Sequence, residues 1–294
     1  MKSLKILIST IIIFSLTSLV NAKEIKMGKA DWDTGYFQAE VYKMALEKMG
    51  YKVTGPTVMK PQVFYVAAAA GDMDLWVNGW FGNHDAFIKE AKGKVRPVGY
   101  VAKNGGLQGY LIDKKTADKF NIKSVMDIKK HAKEFDANGD GKADMVACHP
   151  GWGCEKIISK HFDELGLGDF INPIKADYSA AMADIISRYK NGKSILFYTW
   201  TPNWTVGTLK LGKDIVWIEA PFSETKVVQV PNATKPKLNM GFGVNDIRPA
   251  ANVDFLKDNP DVEKFLQKAS IPLADIASQN LKMNDGEKSE KAIK

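Results

Sequence analysis

Four of the seven tryptophans in the sequence share one position, just after a segment that is predicted to be a β-strand. These are Trp32 after EIKMGKA (24–30), Trp80 after MDLWVN (73–78), Trp152 after MVAC (145–148) and Trp200 after SILFY (194–198). Ligands of open α/β sheets bind at the carboxyl ends of the strands, so we expect these indoles to meet at that edge. An indole face attracts a cation within about 6 Å of the ring centroid. A methylated ammonium group, which has no N–H to donate, suits such a cage. The other tryptophans, at 76, 204 and 217, lie inside apolar patterns and are predicted to be core.

The segment Cys148-His-Pro-Gly-Trp-Gly-Cys154 places one of these indoles between two cysteines. A disulfide here would close a small loop around Trp152, and a predicted helix follows directly. The backbone N–H groups of Gly153 and Cys154 would then point from the helix N-terminus toward an anion. The segment therefore predicts a binding site for a carboxylate or an N-oxide oxygen.

Short apolar runs alternate with amphipathic segments along the chain, which predicts an α/β protein. Further strands are predicted at 51–53, 107–112, 215–220 and 239–244. Helices are predicted at 34–49, 63–70, 124–133, 155–165, 179–191, 253–255, 262–269 and 272–281. These elements would place the four tryptophans at strand ends.

Two glycine-containing segments are interpreted as crossings between two lobes, because glycine absorbs the dihedral change of a hinge. They are Lys103-Asn-Gly-Gly106 and Met240-Gly-Phe-Gly243. This interpretation assigns residues 23–106 and 242–294 to lobe I and residues 107–241 to lobe II. Each lobe then contributes two of the four strand-end tryptophans.

Residues 1–22 have the layout of a secretory signal peptide. Lys2 and Lys5 precede an apolar run from Ile6 to Val20, and Val20-Asn-Ala22 fits a small-x-small cleavage pattern. The run is shorter than the ~20 residues that a membrane-spanning helix needs, which disfavours an anchor. We expect an exported mature chain that begins near Lys23.

The charge pattern and the few cysteines and histidines bear on the class of function. The formal net charge of +7 falls to +5 without Lys2 and Lys5, and the basic residues are mixed with acidic ones, which is not typical of nucleic-acid binding. In an exported protein, Cys148 and Cys154 favour a disulfide over catalytic thiols. The histidines lack metal-ligand spacing; they are His84, His131, His149 and His161. A binding protein is therefore favoured over a thiol or metal hydrolase.

Several stretches closely resemble the periplasmic glycine betaine-binding proteins of ABC importers, over nearly the whole mature chain. They are ALEKMGYKV (45–53), QGYLIDKKTAD (108–118), DANGDGKAD (136–144), CHPGWGCE (148–155), DIISRYKNGK (184–193), FYTWTPNW (197–204) and NDGEKSE (284–290). The resemblance implies a hinged, type II-like two-lobed α/β fold. It also implies a periplasmic monomer without catalytic activity or a required cofactor, which delivers a small onium solute to a membrane permease and its ATPase.

The same resemblance implies roles for individual residues. Trp80, Trp152 and Trp200 would form the cage, and His84 with the Gly153 and Cys154 amides would bind a carboxylate. Trp32 is an additional aromatic, and a box of four tryptophans resembles the trimethylamine N-oxide-binding relatives.

The identity of the solute stays open between glycine betaine and trimethylamine N-oxide. Choline, proline betaine and dimethylsulfoniopropionate are the nearest alternatives, since all carry methylated onium groups of similar size. An amino acid or polyamine is a further alternative, because Asp31, Asp33 and Asp85 lie near the predicted site.

The loop at 136–144 has the oxygen spacing of an EF-hand-type calcium site, through Asp136, Asn138, Asp140 and Asp144, with Gly141 at the turn. Ala147 stands where the bidentate Glu is expected. A structural Ca²⁺ and an Asx-rich turn held by its own backbone bonds are both left open.

Overall fold

The computed structural model describes residues 23–288. The predicted signal peptide, residues 1–22, lies outside the described residues. Between residues 23 and 288, no helix combines the length and apolarity that crossing a bilayer requires.

Strands and helices alternate along most of the described chain. The strands are β1 (Glu24–Ala30), β2 (Lys52–Met59), β3 (Leu75–Phe81), β4 (Val95–Pro97), β5 (Ala102–Asp113), β6 (Ala143–Val146), β7 (Ile171–Ile174), β8 (Leu196–Thr201), β9 (Ile215–Ile218), β10 (Val227–Gln229), β11 (Lys237–Asn239) and β12 (Asn245–Asn252). The α-helices are α1 (Tyr36–Lys48), α2 (Pro61–Ala70), α3 (Asp85–Glu90), α4 (Lys114–Phe120), α5 (Ala132–Phe135), α6 (Gly153–Leu165), α7 (Tyr178–Lys190), α8 (Thr205–Thr208), α9 (Val253–Asp258), α10 (Pro260–Lys268) and α11 (Leu273–Asn284). Short 3-10 helices span Asp33–Gly35, Val125–Lys130 and Leu167–Asp169.

The main sheet runs in the order β2-β1-β3-β12-β5-β8-β6-β7, with β4 beside β12 and β9 beside β5. Strand β1 is parallel to β2 and β3, and β6 is parallel to β7 and β8. Strands β12 and β5 are antiparallel to their neighbours. The carboxyl ends of β1 and β3 therefore share one edge, and those of β6 and β8 share another.

Strand β5 joins the two groups of parallel strands. Its first part pairs with β12 at Ala102 and Gly106, whereas its second part, 107–112, pairs with β8. The segment at 103–106, which is interpreted as a crossing between the lobes, thus lies inside a continuous strand. The boundaries of the two lobes stay a prediction.

The strand predicted at 239–244 is also misplaced. The structure ends β11 at Asn239 and begins the long β12 at Asn245, with irregular chain between them, where Gly241 has φ +76°. The β12 sequence NDIRPAAN contains residues that are depleted in strands. Its strand state comes from its place between β3 and β5, which a local pattern does not reveal.

Smaller differences concern element ends and short elements. The helix predicted at 124–133 is a 3-10 helix from Val125 to Lys130, capped by reciprocal bonds between Ser124 and Asp127, followed by α5. Strands β3 and β8 extend through Trp80 and Trp200, which lie within the strands rather than after them. The short elements that the pattern missed are α3, α4, α8, β4, β7 and β10.

His161 is completely buried in α6, where both of its ring nitrogens have partners. Nδ1 lies 2.8 Å from the Tyr110 hydroxyl, and Nε2 lies 2.7 Å from the carbonyl oxygen of Gly241. Burial lowers the pKa of His161 to about 4, because a charged ring would lose its hydration. The ring is therefore neutral at neutral pH and ties α6 to the segment between β11 and β12.

This pKa predicts acid destabilisation. The folded-state pKa of His161 lies below that of the unfolded chain, so the unfolded chain takes up the proton first and stability falls as the pH decreases from about 6.5 toward 4. We expect this group alone to lower the free energy of unfolding by about 2 kcal/mol between about pH 7.5 and about pH 5. Urea unfolding at both pH values should show a weaker pH dependence for His161→Gln, which keeps a donor and an acceptor but does not titrate. Equal pH dependence of the two proteins would contradict this assignment.

Candidate ligand-binding site

A cavity of about 30 Å³ is lined by residues from both groups of parallel strands. The lining residues are Trp32, Trp80, Asn83, His84, Gln108, Trp152, Gly153, Cys154, Tyr198 and Trp200. All seven residues that the sequence predicts for the ligand are among them. None of the four tryptophans is more than 8% exposed. The structure thus brings together segments that lie more than a hundred residues apart in the chain.

The indoles meet edge to face. The ring centroids of Trp32 and Trp152 lie 5.1 Å apart at 69°, and those of Trp152 and Trp200 lie 5.7 Å apart at 81°. Such steep angles are favourable for aromatic pairs. They also set the ring planes as separate walls of one cavity instead of a single stack.

Asn78 holds two of these walls. Its Oδ1 accepts a hydrogen bond of 3.1 Å from the Nε1–H of Trp32 and another of 3.1 Å from the Nε1–H of Trp80. Asn78 is buried in β3, and an amide oxygen has lone pairs for both donors. One side chain therefore fixes the orientation of both indoles that come from the β1–β3 edge.

The loop after β1 accepts hydrogen bonds from indoles that come from the other strand group. Trp152 donates to Asp31 over 2.7 Å, and Trp200 donates to the Thr34 hydroxyl over 3.2 Å. The indole at position 204, outside the cavity, donates to Asp33 over 3.1 Å. An indole N–H is only a donor, so each of these bonds removes an otherwise unpaired buried group. They also join the two strand groups across the cavity.

The acceptors Asp31 and Asp33 do not line the cavity. Burial raises the pKa of each carboxyl above its usual value, although hydrogen bonds from Trp152 to Asp31 and from the Thr34 N–H and Trp204 to Asp33 act in the opposite direction. Asp31 and Asp33 are two of the three acidic residues for which an amino acid or polyamine is an alternative ligand in the sequence analysis. Each accepts from an indole N–H, and of these two indoles Trp152 is the one that lines the cavity.

A disulfide joins Cys148 and Cys154, whose Cα atoms lie 5.9 Å apart. Residues 23–288 contain no free cysteine, which removes the thiol-hydrolase hypothesis for this part of the chain. The bridged loop places Trp152 at the N-cap of α6, so Gly153 and Cys154 open the helix. The first N–H groups of a helix have no partner within it, and here they lie at the cavity wall.

Gly153 lies close to the opposite strand group. A Cβ at this position would lie 2.7 Å from the carbonyl oxygen of Asn83. Any larger residue would separate the start of α6 from the segment that carries Trp80 and His84. A glycine is therefore needed here for the cavity to close.

His84 is buried at the start of α3, with Nδ1 at 3.1 Å from the Tyr65 hydroxyl. Burial lowers the pKa of His84 to about 3. The imidazole is consequently neutral and has one N–H for an anionic oxygen. It lines the same cavity as the open amides of α6.

Sequence reasoning missed three polar residues of the cavity. The Tyr198 hydroxyl donates to the Gln108 Oε1 over 2.7 Å, and the Asn83 Nδ2 donates to the same oxygen over 2.9 Å. Asn83 lies within the segment from Trp80 to His84, and Gln108 begins the QGYLI stretch, so both were inside recognised motifs. Their side-chain directions could not be read from the pattern.

The loop at 136–144 lies apart from the cavity. Asp136 accepts from the backbone N–H groups of Asn138, Gly139 and Gly141, and Asp144 accepts from that of Ala137. Across residues 23–288, no three His, Cys, Asp or Glu side chains are placed to hold a metal ion together. These bonds are those of an Asx-rich turn, and calcium binding stays a prediction.

Known proteins resemble this chain over nearly all its length. Residues 23–294 match the family described as the substrate-binding domain of ABC-type glycine betaine transport systems. The chain is 43% identical over 264 residues to the glycine betaine-binding periplasmic protein OusX of Dickeya dadantii, covering 87% of this chain and 79% of that protein. It is 41% identical over 263 residues to the glycine betaine/proline betaine-binding periplasmic protein of Escherichia coli, covering 86% and 78%.

Solved structures share the fold at low sequence identity. Lactococcal OpuAC, in its closed conformation with glycine betaine, superposes with a TM-score of 0.71 at 20% identity, covering 92% of this chain and 93% of that chain. An ABC-transporter choline-binding protein in complex with choline gives a TM-score of 0.73 at 20% identity, covering 92% and 86%. The predicted two-lobed α/β fold of substrate-binding proteins is thereby confirmed.

The double acceptor at Asn78 generates a prediction for stability. Asn78→Leu should lower the free energy of unfolding by about 2–4 kcal/mol, because two buried indole N–H groups lose their acceptor. Denaturant unfolding followed by circular dichroism measures this loss. In a background of Trp32→Phe with Trp80→Phe, the same substitution should cost much less, since no indole donor is left unpaired. An equal loss in both backgrounds would show that Asn78 acts by packing alone.

Proposed function

The chain belongs to the family of substrate-binding domains of ABC-type glycine betaine transport systems, and from this premise we propose that it captures glycine betaine in a cage of four tryptophans. It is a binding protein and not an enzyme, and it serves an ABC permease with its ATPase. Its curated relatives are periplasmic proteins. We also propose that a signal peptide at residues 1–22 directs the export of the chain.

The observation that carries the proposal is the pairing of two chemistries in one cavity. Four indoles line it together with the open N–H groups of Gly153 and Cys154 and the neutral ring of His84. Glycine betaine has a trimethylammonium group at one end and a carboxylate at the other. The methyls face the indoles, where cation–π attraction amounts to about 2 kcal/mol per desolvated contact. The carboxylate accepts from the amides and from His84.

Trimethylamine N-oxide is the second candidate solute, and Trp32 is the observation that favours it. This indole makes a fourth wall of the cavity, with its ring centroid 5.1 Å from that of Trp152. A fourth indole favours a solute in which more of the surface is the methylated group itself. Choline, proline betaine and dimethylsulfoniopropionate remain alternatives, since they carry methylated onium groups of similar size.

Ligand capture is proposed to stabilise a closed arrangement of two lobes, with residues 23–106 and 242–294 in one and 107–241 in the other. The bonds from Trp152 and Trp200 to Asp31 and Thr34 cross between these lobes. A solute that touches indoles of both lobes binds the closed state more tightly and so shifts the population toward it. The closed state is the one proposed to dock on the permease.

Calorimetric titration of residues 23–294 with glycine betaine and trimethylamine N-oxide in parallel tests the proposal. Tight binding of either supports the onium cage, and the preferred solute shows whether Trp32 selects the smaller one. Failure to bind either of these or any other methylated onium solute would refute the proposal and leave the amino-acid or polyamine hypothesis.

Removal of one indole from the cavity should weaken the binding of the solute. Trp200→Ala should lower the affinity for glycine betaine by at least about 30-fold, which corresponds to the loss of about 2 kcal/mol of cation–π attraction. Trp217→Phe is the control, because Trp217 is fully buried and does not line the cavity. This variant should bind glycine betaine with an affinity near that of the original chain. Calorimetry on both folded variants decides; unchanged affinity in Trp200→Ala removes this indole from the site.

The close approach at Gly153 gives a test of closure. Gly153→Ala should reduce the affinity for glycine betaine by about tenfold or more, since a methyl group at 2.7 Å from the Asn83 carbonyl prevents closure. Gly168→Ala should have no such effect, because its Cβ would lie 3.9 Å from Phe162, an ordinary contact. Small-angle scattering with saturating solute should show a more open Gly153→Ala protein. A closed, tightly binding variant would refute the need for glycine.

A further inference from the structure

Tyr65, on α2, is almost completely buried and lies outside the residues that line the cavity. Its hydroxyl lies 3.1 Å from the Nδ1 of His84, and the two rings meet edge to face with centroids 5.6 Å apart. No sequence motif described above predicts a role for this tyrosine. It contacts the one titratable side chain that is proposed to bind the anionic end of the solute.

The surroundings of His84 keep the imidazole neutral. Besides Tyr65, the rings of Phe81 and Phe87 lie at 6.1 Å and 5.6 Å from it. Burial among these rings lowers the pKa of His84 to about 3. A neutral imidazole has one N–H donor and one acceptor nitrogen, so the position of its single proton decides what the ring offers to a ligand.

The hydrogen bond to Tyr65 decides that position. The buried phenol hydrogen needs an acceptor, and leaving it unpaired costs about 1–3 kcal/mol. When Tyr65 donates to Nδ1, this need is met and the proton of the ring must reside on Nε2. If the ring proton were on Nδ1 instead, the phenol hydrogen would have no acceptor. The unprotonated Nε2 would then repel a carboxylate.

The buried pair of Tyr110 and His161 shows the same arrangement, and there a third group shows which ring nitrogen carries the proton. The Nε2 of His161 lies 2.7 Å from the carbonyl oxygen of Gly241, which can only accept, so Nε2 carries the proton. Its Nδ1 must then accept from the Tyr110 hydroxyl at 2.8 Å. Among the described residues, the Nε2 of His84 has no such partner, and His84 lines the cavity.

We propose that Tyr65 is a positioning residue that holds the His84 proton on Nε2, so that the site selects onium solutes with an anionic oxygen over choline. This proposal rests on the proposed function, because it concerns the anionic end of the same cavity. The reason for the selectivity is that hydrogen bonds to charged acceptors are about twice as strong as those between neutral groups. Choline offers only a neutral hydroxyl.

Nitrogen-15 NMR of the histidine rings in the free protein tests the proton position. His84 should show a protonated Nε2 and an unprotonated Nδ1. In Tyr65→Phe, the Nδ1 signal should shift as its hydrogen bond is lost. In the control Tyr110→Phe, only the His161 signals should move. A proton on the Nδ1 of His84 in the original chain overturns the proposal, and this measurement needs neither a solute nor a stable variant.

Calorimetry tests the selectivity. Tyr65→Phe should bind glycine betaine about tenfold more weakly while its affinity for choline changes less than about twofold, and Tyr110→Phe should preserve the ratio of the two affinities. An equal loss for both solutes, or no loss for glycine betaine, overturns the positioning role. If the original chain binds no onium solute, the proposed function fails instead, and the NMR result still decides the role of Tyr65.

Discussion

An indole can present its face to a cation in a dry cavity only if its N–H is satisfied elsewhere, and this constraint organises the site. Every cage tryptophan has its acceptor behind the wall it forms. Trp32 and Trp80 share Asn78, while Trp152 and Trp200 reach Asp31 and Thr34. No indole N–H therefore has to seek an acceptor in the cavity. Because two of these bonds cross between the strand groups, the groups that orient the cage also hold its halves together.

The sheet topology supplies the positions that this arrangement needs. Parallel pairing of β1 with β3 and of β6 with β8 gives two edges, each of which carries two of the indoles. Antiparallel β12 and β5 lie between them, and β5 runs without interruption from one group to the other. A strand that pairs with both groups sets their spacing.

The cage could be predicted from the sequence because its signal was repeated. Trp32, Trp80, Trp152 and Trp200 occupy similar positions relative to strands, and that similarity predicts that they meet. The acceptors could not be predicted in this way. Asn78 lies among buried apolar residues of β3, and its role depends on which way two distant indoles turn.

Strand β12 escaped prediction for a related reason. Its local composition disfavours a strand, and its state is imposed by the two strands beside it. The glycines at 105 and 106 likewise do not reveal that the chain there is part of β5. Sequence patterns thus predicted which indoles line one cavity. They failed where the state of a residue or segment depends on partners that are remote in sequence.

The electrostatics of the cavity suit a ligand whose opposite charges cancel. None of the lining residues is Asp, Glu, Lys or Arg, and His84 is neutral. A buried ion pair with the protein would require desolvation of a protein charge for each end of the ligand, and that cost can exceed the Coulombic gain. Indole faces and neutral N–H donors avoid it, because they carry no net charge. Salt screens buried interactions much less than exposed ones, so a site of this kind depends little on the ionic strength around the protein.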